Sequence, residues 1–176
     1  MRIIENEAFK DSQIKKLDIS NCLLHEVRRL AFKGLERSLE MLDMSANRYV
    51  NWFDKKKCIA SPTIFFYFFS RLKDLPDTLL DDFDMIKSLK LSDNMLRVSP
   101  NASFMGFKFS LKDLSLSGED MGFVPLREVG LMRNIRKVGL PGIRYQGRVT
   151  ESQFSPFAPG LEELNLVSAN LVEIGK

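Results

Sequence analysis

Few residues of this chain are positioned to do chemistry. Its 176 residues include one histidine, His25, and two cysteines, Cys22 and Cys58. A nucleophile needs a base beside it and a metal needs several ligands, and neither can be assembled around this histidine. The sequence also lacks a phosphate-binding glycine loop, a Gly-x-Ser-x-Gly turn and a cysteine pair at zinc spacing. We therefore predict no catalytic residue, no metal site and no cofactor.

Two charged clusters invite a binding interpretation. Five aspartates (Asp74, Asp77, Asp81, Asp82 and Asp84) lack the ordered spacing of a calcium loop, so we expect a solvated surface there. Between residues 127 and 148, six cations accompany one acid, Glu128. The cations are Arg127, Arg133, Arg136, Lys137, Arg144 and Arg148. Such a patch could attract a sulfated glycan, with Arg133, Arg136, Arg144 and Arg148 as contacts, or it could be a solvated rim. With Tyr145 as its one aromatic residue, it gives little support to nucleic-acid binding.

A periodic apolar pattern must position these residues. Each unit has three apolar landmarks: the second follows the first by three residues, and the third follows the second by two. Examples are Ile14/Leu17/Ile19 and Ile86/Leu89/Leu91. Units with this pattern start near residues 14, 39, 86, 111, 135 and 161, and a unit near 62 would divide the long gap. The mean period from 14 to 161 is then 24.5 residues, which is leucine-rich-repeat spacing.

The pattern predicts the architecture as well as the repeat class. The class is α/β: a curved solenoid in which short parallel strands line the concave face and irregular or short helical segments form the convex side. We expect a single domain over residues 1–176, with about seven repeats and a partial repeat at the N-terminus. Asn47 and Asn94 stand where a buried side chain would hydrogen-bond neighbouring coils, and Cys22 takes the corresponding place one coil earlier.

The units resemble a known family. Leu17-Asp-Ile19-Ser-Asn-Cys22-Leu-Leu24, with Ala31-Phe32 behind it, is similar to the "typical" 24-residue repeats of extracellular animal proteins such as Toll-like receptor ectodomains, Slit and chaoptin. The resemblance covers essentially the whole chain. It implies a non-catalytic module for protein recognition or cell adhesion, with protein ligands or homophilic contacts as partners.

The solvent-facing strand positions predict where a partner would bind. Alternate strand residues point to opposite sides, so the residues between the apolar landmarks face outward. Our candidate protein-binding residues on the concave face are Met41, Asp43, Ile64, Phe66, Phe68, Lys90, Asp113 and Lys137. Ile64, Phe66 and Phe68 would form an exposed apolar patch with a polar rim, the layout of an interface anchor.

Two alternatives to this aromatic patch stay open. A shift of the strand by one residue would exchange its two faces. The low complexity of residues 58–70 also leaves open an artefact in the sequence.

Several signals bear on the location of the protein. Asn101-Ala102-Ser103 is an acceptor for an N-linked glycan, in agreement with an extracellular or cell-surface protein. Neither end of the chain carries a polar capping unit, which predicts an internal fragment of a longer array whose signal sequence and anchor lie elsewhere. No stretch is long and apolar enough to span a bilayer. The alternative is a cytoplasmic scaffold or adaptor, which the unpaired cysteines would suit.

Overall fold

A row of short parallel strands organises the chain. The computed structural model describes residues 3–50, 68–70, 75–76, 79–94, 106–116, 132–140, 148–149, 158–167 and 173–174. Within them lies a six-stranded sheet whose neighbours all pair in parallel. In spatial order its strands are β2 (Lys16–Asp18), β4 (Met41–Asp43), β7 (Ser88–Lys90), β8 (Asp113–Ser115), β9 (Lys137–Gly139) and β11 (Glu163–Asn165).

The apolar landmarks of the repeat form the interior of this row. In five strands of this sheet, β2, β4, β7, β8 and β9, the central residue is buried, whereas most of the residues on either side of it reach solvent. The third landmark is also buried in each of these coils, from Ile19 to Leu140. The predicted solenoid with one polar and one apolar side of its sheet is thereby confirmed.

Two buried asparagines connect successive coils. The Asn47 side-chain oxygen accepts hydrogen bonds from the backbone N–H groups of Cys22 and Leu24 at 2.9 and 3.0 Å. The Asn94 side-chain oxygen accepts from the Asn47 backbone N–H at 3.2 Å, and its amide donates to the Met44 carbonyl oxygen at 2.9 Å. The predicted role of these asparagines is confirmed, and Cys22 is a partly buried free thiol at the end of the same line.

Where the structure describes them, the return segments are mostly turns and contain no α-helix. One short 3-10 helix spans Ala158–Gly160. Two-residue strands pair in parallel behind the main sheet: β1 (Ile3–Ile4) with β3 (Glu26–Val27), and β10 (Arg148–Val149) with β12 (Glu173–Ile174).

Large apolar side chains fill the space under these return segments. Phe32, Leu80, Phe107 and Met132 are each at most 6% exposed, and Phe9 stacks on Phe32 with ring centroids 5.9 Å apart. Phe9, Phe32 and Leu80 are outer-core positions that follow from the repeat spacing.

The strand predicted near residues 64–68 is described only at Phe68, because residues 51–67 lie outside the described part of the chain. β4 pairs directly with β7, so that Met41 lies opposite Ser88 and Asp43 opposite Lys90. Phe68 belongs instead to β6 (Phe68–Ser70), which pairs antiparallel with β5 (Arg48–Val50). Phe68 therefore lies in a separate two-stranded sheet, outside the row. The Asn47 backbone N–H donates to the Asn94 side-chain oxygen and the Asn94 amide donates to the Met44 carbonyl oxygen, so the coils of β4 and β7 are joined directly and leave no place for a coil between them.

Candidate binding face

The outer side of the six-stranded sheet presents side chains from the first and third positions of every strand. We call it the sheet face, and repeat architecture puts it on the inside of the curve. Its members, in strand order, are Lys16, Asp18, Met41, Asp43, Ser88, Lys90, Asp113, Ser115, Lys137, Gly139, Glu163 and Asn165. Each residue sits beside its counterpart on the next strand because the parallel register is continuous from β2 to β11.

Asp43 is held rigidly at one end of this face. One carboxylate oxygen accepts hydrogen bonds from the backbone N–H and the hydroxyl of Ser45, at 3.0 and 2.6 Å. The other oxygen lies 3.3 Å from the Lys90 ammonium. Asp43 was predicted to project into solvent but is only 8% exposed, because these groups surround its carboxylate. Its charge is therefore already compensated before any ligand arrives.

Asp18 repeats the same local motif one strand earlier. Its carboxylate accepts hydrogen bonds from the hydroxyl and the backbone N–H of Ser20, at 2.7 and 3.0 Å. These bonds lower the pKa of Asp18 below its ordinary value, with the Ser20 hydroxyl as the largest cause and Lys90 as a smaller one. Asp18 stays exposed, so it offers an ionised carboxylate at neutral pH.

At the other end of the sheet face, the first residues of successive strands alternate in charge. Asp113, Lys137 and Glu163 lie on adjacent strands in register. The Lys137 ammonium is 2.9 Å from the Glu163 carboxylate. Its pKa is raised, first by the hydrogen bond to Glu163 and then by the charges of Glu163 and Asp113. This row presents fixed donors and acceptors with little net charge.

A depression of about 310 Å³ lies in this half of the sheet face. Small residues at the third position of two successive strands, Ser115 and Gly139, form part of its floor. A Cβ atom at residue 139 would lie 3.1 Å from the Ser115 hydroxyl oxygen, so the glycine keeps the space open. The charged and amide side chains that also line it are Lys90, Asp113, Lys137, Glu163 and Asn165.

The structure brings together five of the eight predicted binding residues. Met41, Asp43, Lys90, Asp113 and Lys137 all lie on the sheet face. Ile64 and Phe66 lie outside the described residues, as does the predicted glycosylation site Asn101.

The predicted basic cluster is described only in part. Arg133 is exposed, whereas Arg136 donates to the Gly160 carbonyl oxygen at 2.9 Å and lies 3.7 Å from the Glu162 carboxylate. Arg144 lies outside the described residues, and Arg148 belongs to β10.

Our list of candidates omitted the residues that shape the depression. Glu163 and Asn165 were recognisable only as outward strand positions. Ser115 and Gly139 carried one further signal: they are two small residues at the third position of successive strands, and small side chains on a sheet leave a hollow.

Among the described residues, no three histidine, cysteine or acidic side chains are grouped to hold a metal ion. His25 is exposed on a loop. In the same part of the chain, none of the helices has the length and apolar character needed to cross a membrane.

Comparison with known proteins gives one informative similarity. No protein-family model matches the chain. The chain is 25% identical to Chaoptin of Drosophila melanogaster over 172 residues, a match that covers 96% of this chain. That match covers 11% of the relative, so the chain spans about a tenth of the length of that protein.

Proposed function

The chain is a leucine-rich-repeat solenoid, and from this premise we propose that it binds a protein ligand through the sheet face. The observation that carries the proposal is the depression over Ser115 and Gly139, bounded by charged side chains that hold each other in place. Because Lys90 and Lys137 are oriented by ion pairs, little side-chain entropy is lost when a partner docks on them. Met41, Asp43, Lys90, Asp113 and Lys137 are the proposed contacts, together with Glu163 and Asn165.

We further propose that this module belongs to a cell-surface or secreted recognition or adhesion protein. Its repeats resemble those of extracellular proteins, and the similarity to Chaoptin supports the same class. The ligand would be another cell-surface protein or a second copy of this one. The sequon at Asn101 supports an extracellular location, and a glycan on Asn101 in protein from the native source would establish it.

One observation favours the alternative of an intracellular scaffold or adaptor. Cys22 is a free thiol, as is usual in reducing compartments. Because Cys22 is partly buried against the core, its free state also suits a secreted protein, and we therefore rank this alternative second.

Filling the depression tests the proposed function. A leucine at position 139 would project from the sheet into the hollow, and the Ser115 hydroxyl can rotate away from the new Cβ. We expect Gly139→Leu to leave the thermal unfolding midpoint nearly unchanged and to weaken ligand binding at least tenfold. The measurement is biolayer interferometry of the purified chain against recombinant cell-surface ectodomains, with the chain itself included.

The matched control adds the same side chain elsewhere. Gln13 is exposed and lies outside the strands of the sheet, so Gln13→Leu should bind as the unmodified chain does. A Gly139→Leu variant that remains folded and binds with unchanged affinity would show that the ligand does not use the depression.

A further inference from the structure

A second surface lies beside the sheet face, along the edge where the strands begin. The residue just before each strand forms its own row here, linked by backbone hydrogen bonds. Lys112 donates to the Lys87 carbonyl oxygen at 2.8 Å, and Arg136 donates to the Lys112 carbonyl oxygen at 2.7 Å. Three cationic residues, each directly before β7, β8 or β9, are therefore adjacent.

The middle cation of this row is distinguished from its neighbours. Lys87 pairs with Glu40 at 2.9 Å, and Arg136 lies 3.7 Å from Glu162. Lys112 makes no ion pair with any residue that the structure describes. On the sheet face, by contrast, Lys90 and Lys137 are each paired with a carboxylate. Lys112 thus leaves a positive charge available to a partner on this edge.

The turn that leads into Lys112 exposes an aromatic ring. Phe109 is 66% exposed, the largest value among the exposed large apolar side chains in the described part of the chain. The Lys108 ammonium lies 4.8 Å from the centre of the Phe109 ring. Because this cation accompanies the ring, any partner that covers Phe109 also meets a positive charge.

Neighbouring coils extend this aromatic site in both directions. On one side, the Asn134 amide donates to the Phe109 carbonyl oxygen at 2.5 Å, which puts exposed Arg133 on the adjacent coil. On the other side, the Ser110 hydroxyl donates to the Ile86 carbonyl oxygen at 2.8 Å. Met85, the residue before Ile86, is 39% exposed. We name this surface the basic edge; its members are Met85, Lys108, Phe109, Lys112 and Arg133.

We propose that the basic edge is a second docking surface that binds an acidic polypeptide segment with an apolar side chain between its carboxylates. An exposed aromatic residue with a charged rim has the composition of an interface hot spot. Lys108, Lys112 and Arg133 supply the rim, and their charge selects an acidic partner. A sulfated glycan would satisfy the cations but leave Phe109 and Met85 in water, so the apolar residues favour a polypeptide.

The test uses a defined probe in place of an unknown partner. A fluorescently labelled synthetic peptide with glutamates on both sides of two central leucines is titrated with the purified chain, and anisotropy is measured. We expect binding that weakens severalfold between about 0.05 and about 0.3 M salt, because exposed charges are screened over that range. A matched peptide with lysines in place of the glutamates should not bind.

Four variants assign the binding to this surface. Phe109→Ser and Lys112→Glu should each weaken the interaction at least tenfold, and their circular dichroism should match that of the unmodified chain because both side chains are exposed. Lys15→Glu changes the cation that precedes β2, and Leu30→Ser changes another exposed apolar residue. Both controls should bind within about twofold of the unmodified chain, a difference well below one hot-spot contact.

Three outcomes would overturn the proposal. The peptide fails to bind; an all-glutamate peptide without leucines binds as tightly; or heparin binds with an affinity that depends on Lys112 but not on Phe109. The last result would assign the edge to a sulfated glycan. Gly139→Leu should leave peptide binding unchanged, so failure of this proposal is distinguishable from failure of the sheet-face function.

Discussion

At the scale of single residues, the buried asparagines show how closely side-chain chemistry is tied to the repeat. Asn47 is fully buried, and its amide donates to the carbonyl oxygens of Ile19 and Met44 at 3.0 and 2.8 Å. Its position was predictable because it follows the third apolar landmark by three residues. The burial of Asp43 was not predictable, because its partner Lys90 becomes a neighbour only when β4 and β7 pair directly.

Asn47→Ala should destabilise the chain by about 3 kcal/mol, since buried N–H and carbonyl groups on two coils would lose their partners. The measurement is the free energy of unfolding from denaturant titration. Asn6 serves as the control: it is exposed and accepts one hydrogen bond, from the Leu30 backbone N–H at 3.0 Å. Asn6→Ala should cost at most about 1 kcal/mol. Equal losses for the two variants would contradict the structural role of Asn47.

At the scale of elements, the chain between β4 and β7 explains why sequence reasoning placed a further strand between them. The starts of these two strands are 47 residues apart, whereas other neighbouring strands start 24 to 26 residues apart. The excess is nearly one repeat, and Phe65, Tyr67, Leu72 and Leu75 fall at landmark spacing within it. An apolar run can match such a template in either register, so spacing alone could not decide whether these residues form a coil of the row.

We infer that the excess residues are an insertion, which can be located by counting from the asparagine position. Leu24 and Val27 follow Cys22 by two and five residues, and both are buried. If residues 48–70 are removed, Leu72 and Leu75 follow Asn47 by the same two and five residues. The interval between the starts of β4 and β7 then shortens from 47 to 24 residues (47 − 23). The remaining chain would form a regular coil.

Deleting residues 48–70 should therefore preserve the fold. We expect cooperative unfolding, with a free energy of unfolding equal to or slightly above that of the unmodified chain. The reason is that a shorter loop has a smaller entropic cost of closure. Denaturant titration and amide hydrogen exchange of β4 and β7 are the measurements. Deleting residues 48–71 is the control: it moves Leu72 and Leu75 out of phase by one residue and should lower stability. A 48–70 deletion that is no more stable than this control would rule out the assignment.

At the scale of the whole molecule, one row of strands produces two chemically different surfaces. On the sheet face, Lys90 pairs with Asp43 and Lys137 pairs with Glu163, and the depression lies over Ser115 and Gly139. The basic edge carries an exposed aromatic ring and cations such as Lys112. The repeat spacing predicted the solenoid and the outward strand positions. The two surfaces depend on which coils are adjacent, and that became visible only in the strand pairing.

Disulfide cross-linking between β4 and β7 tests the strand row most directly. In a Cys22→Ser, Cys58→Ser background, Met41→Cys and Ser88→Cys put two thiols opposite each other on neighbouring strands. Neighbouring strands lie about 4.8 Å apart, within the reach of a disulfide, whereas an intervening strand would separate the Cα atoms by about 10 Å, beyond it. We predict that mild oxidation forms this bridge as readily as a bridge between Ser88→Cys and Asp113→Cys on β7 and β8, as read by peptide mass spectrometry. Formation of the second bridge without the first would contradict the row and both surfaces built on it.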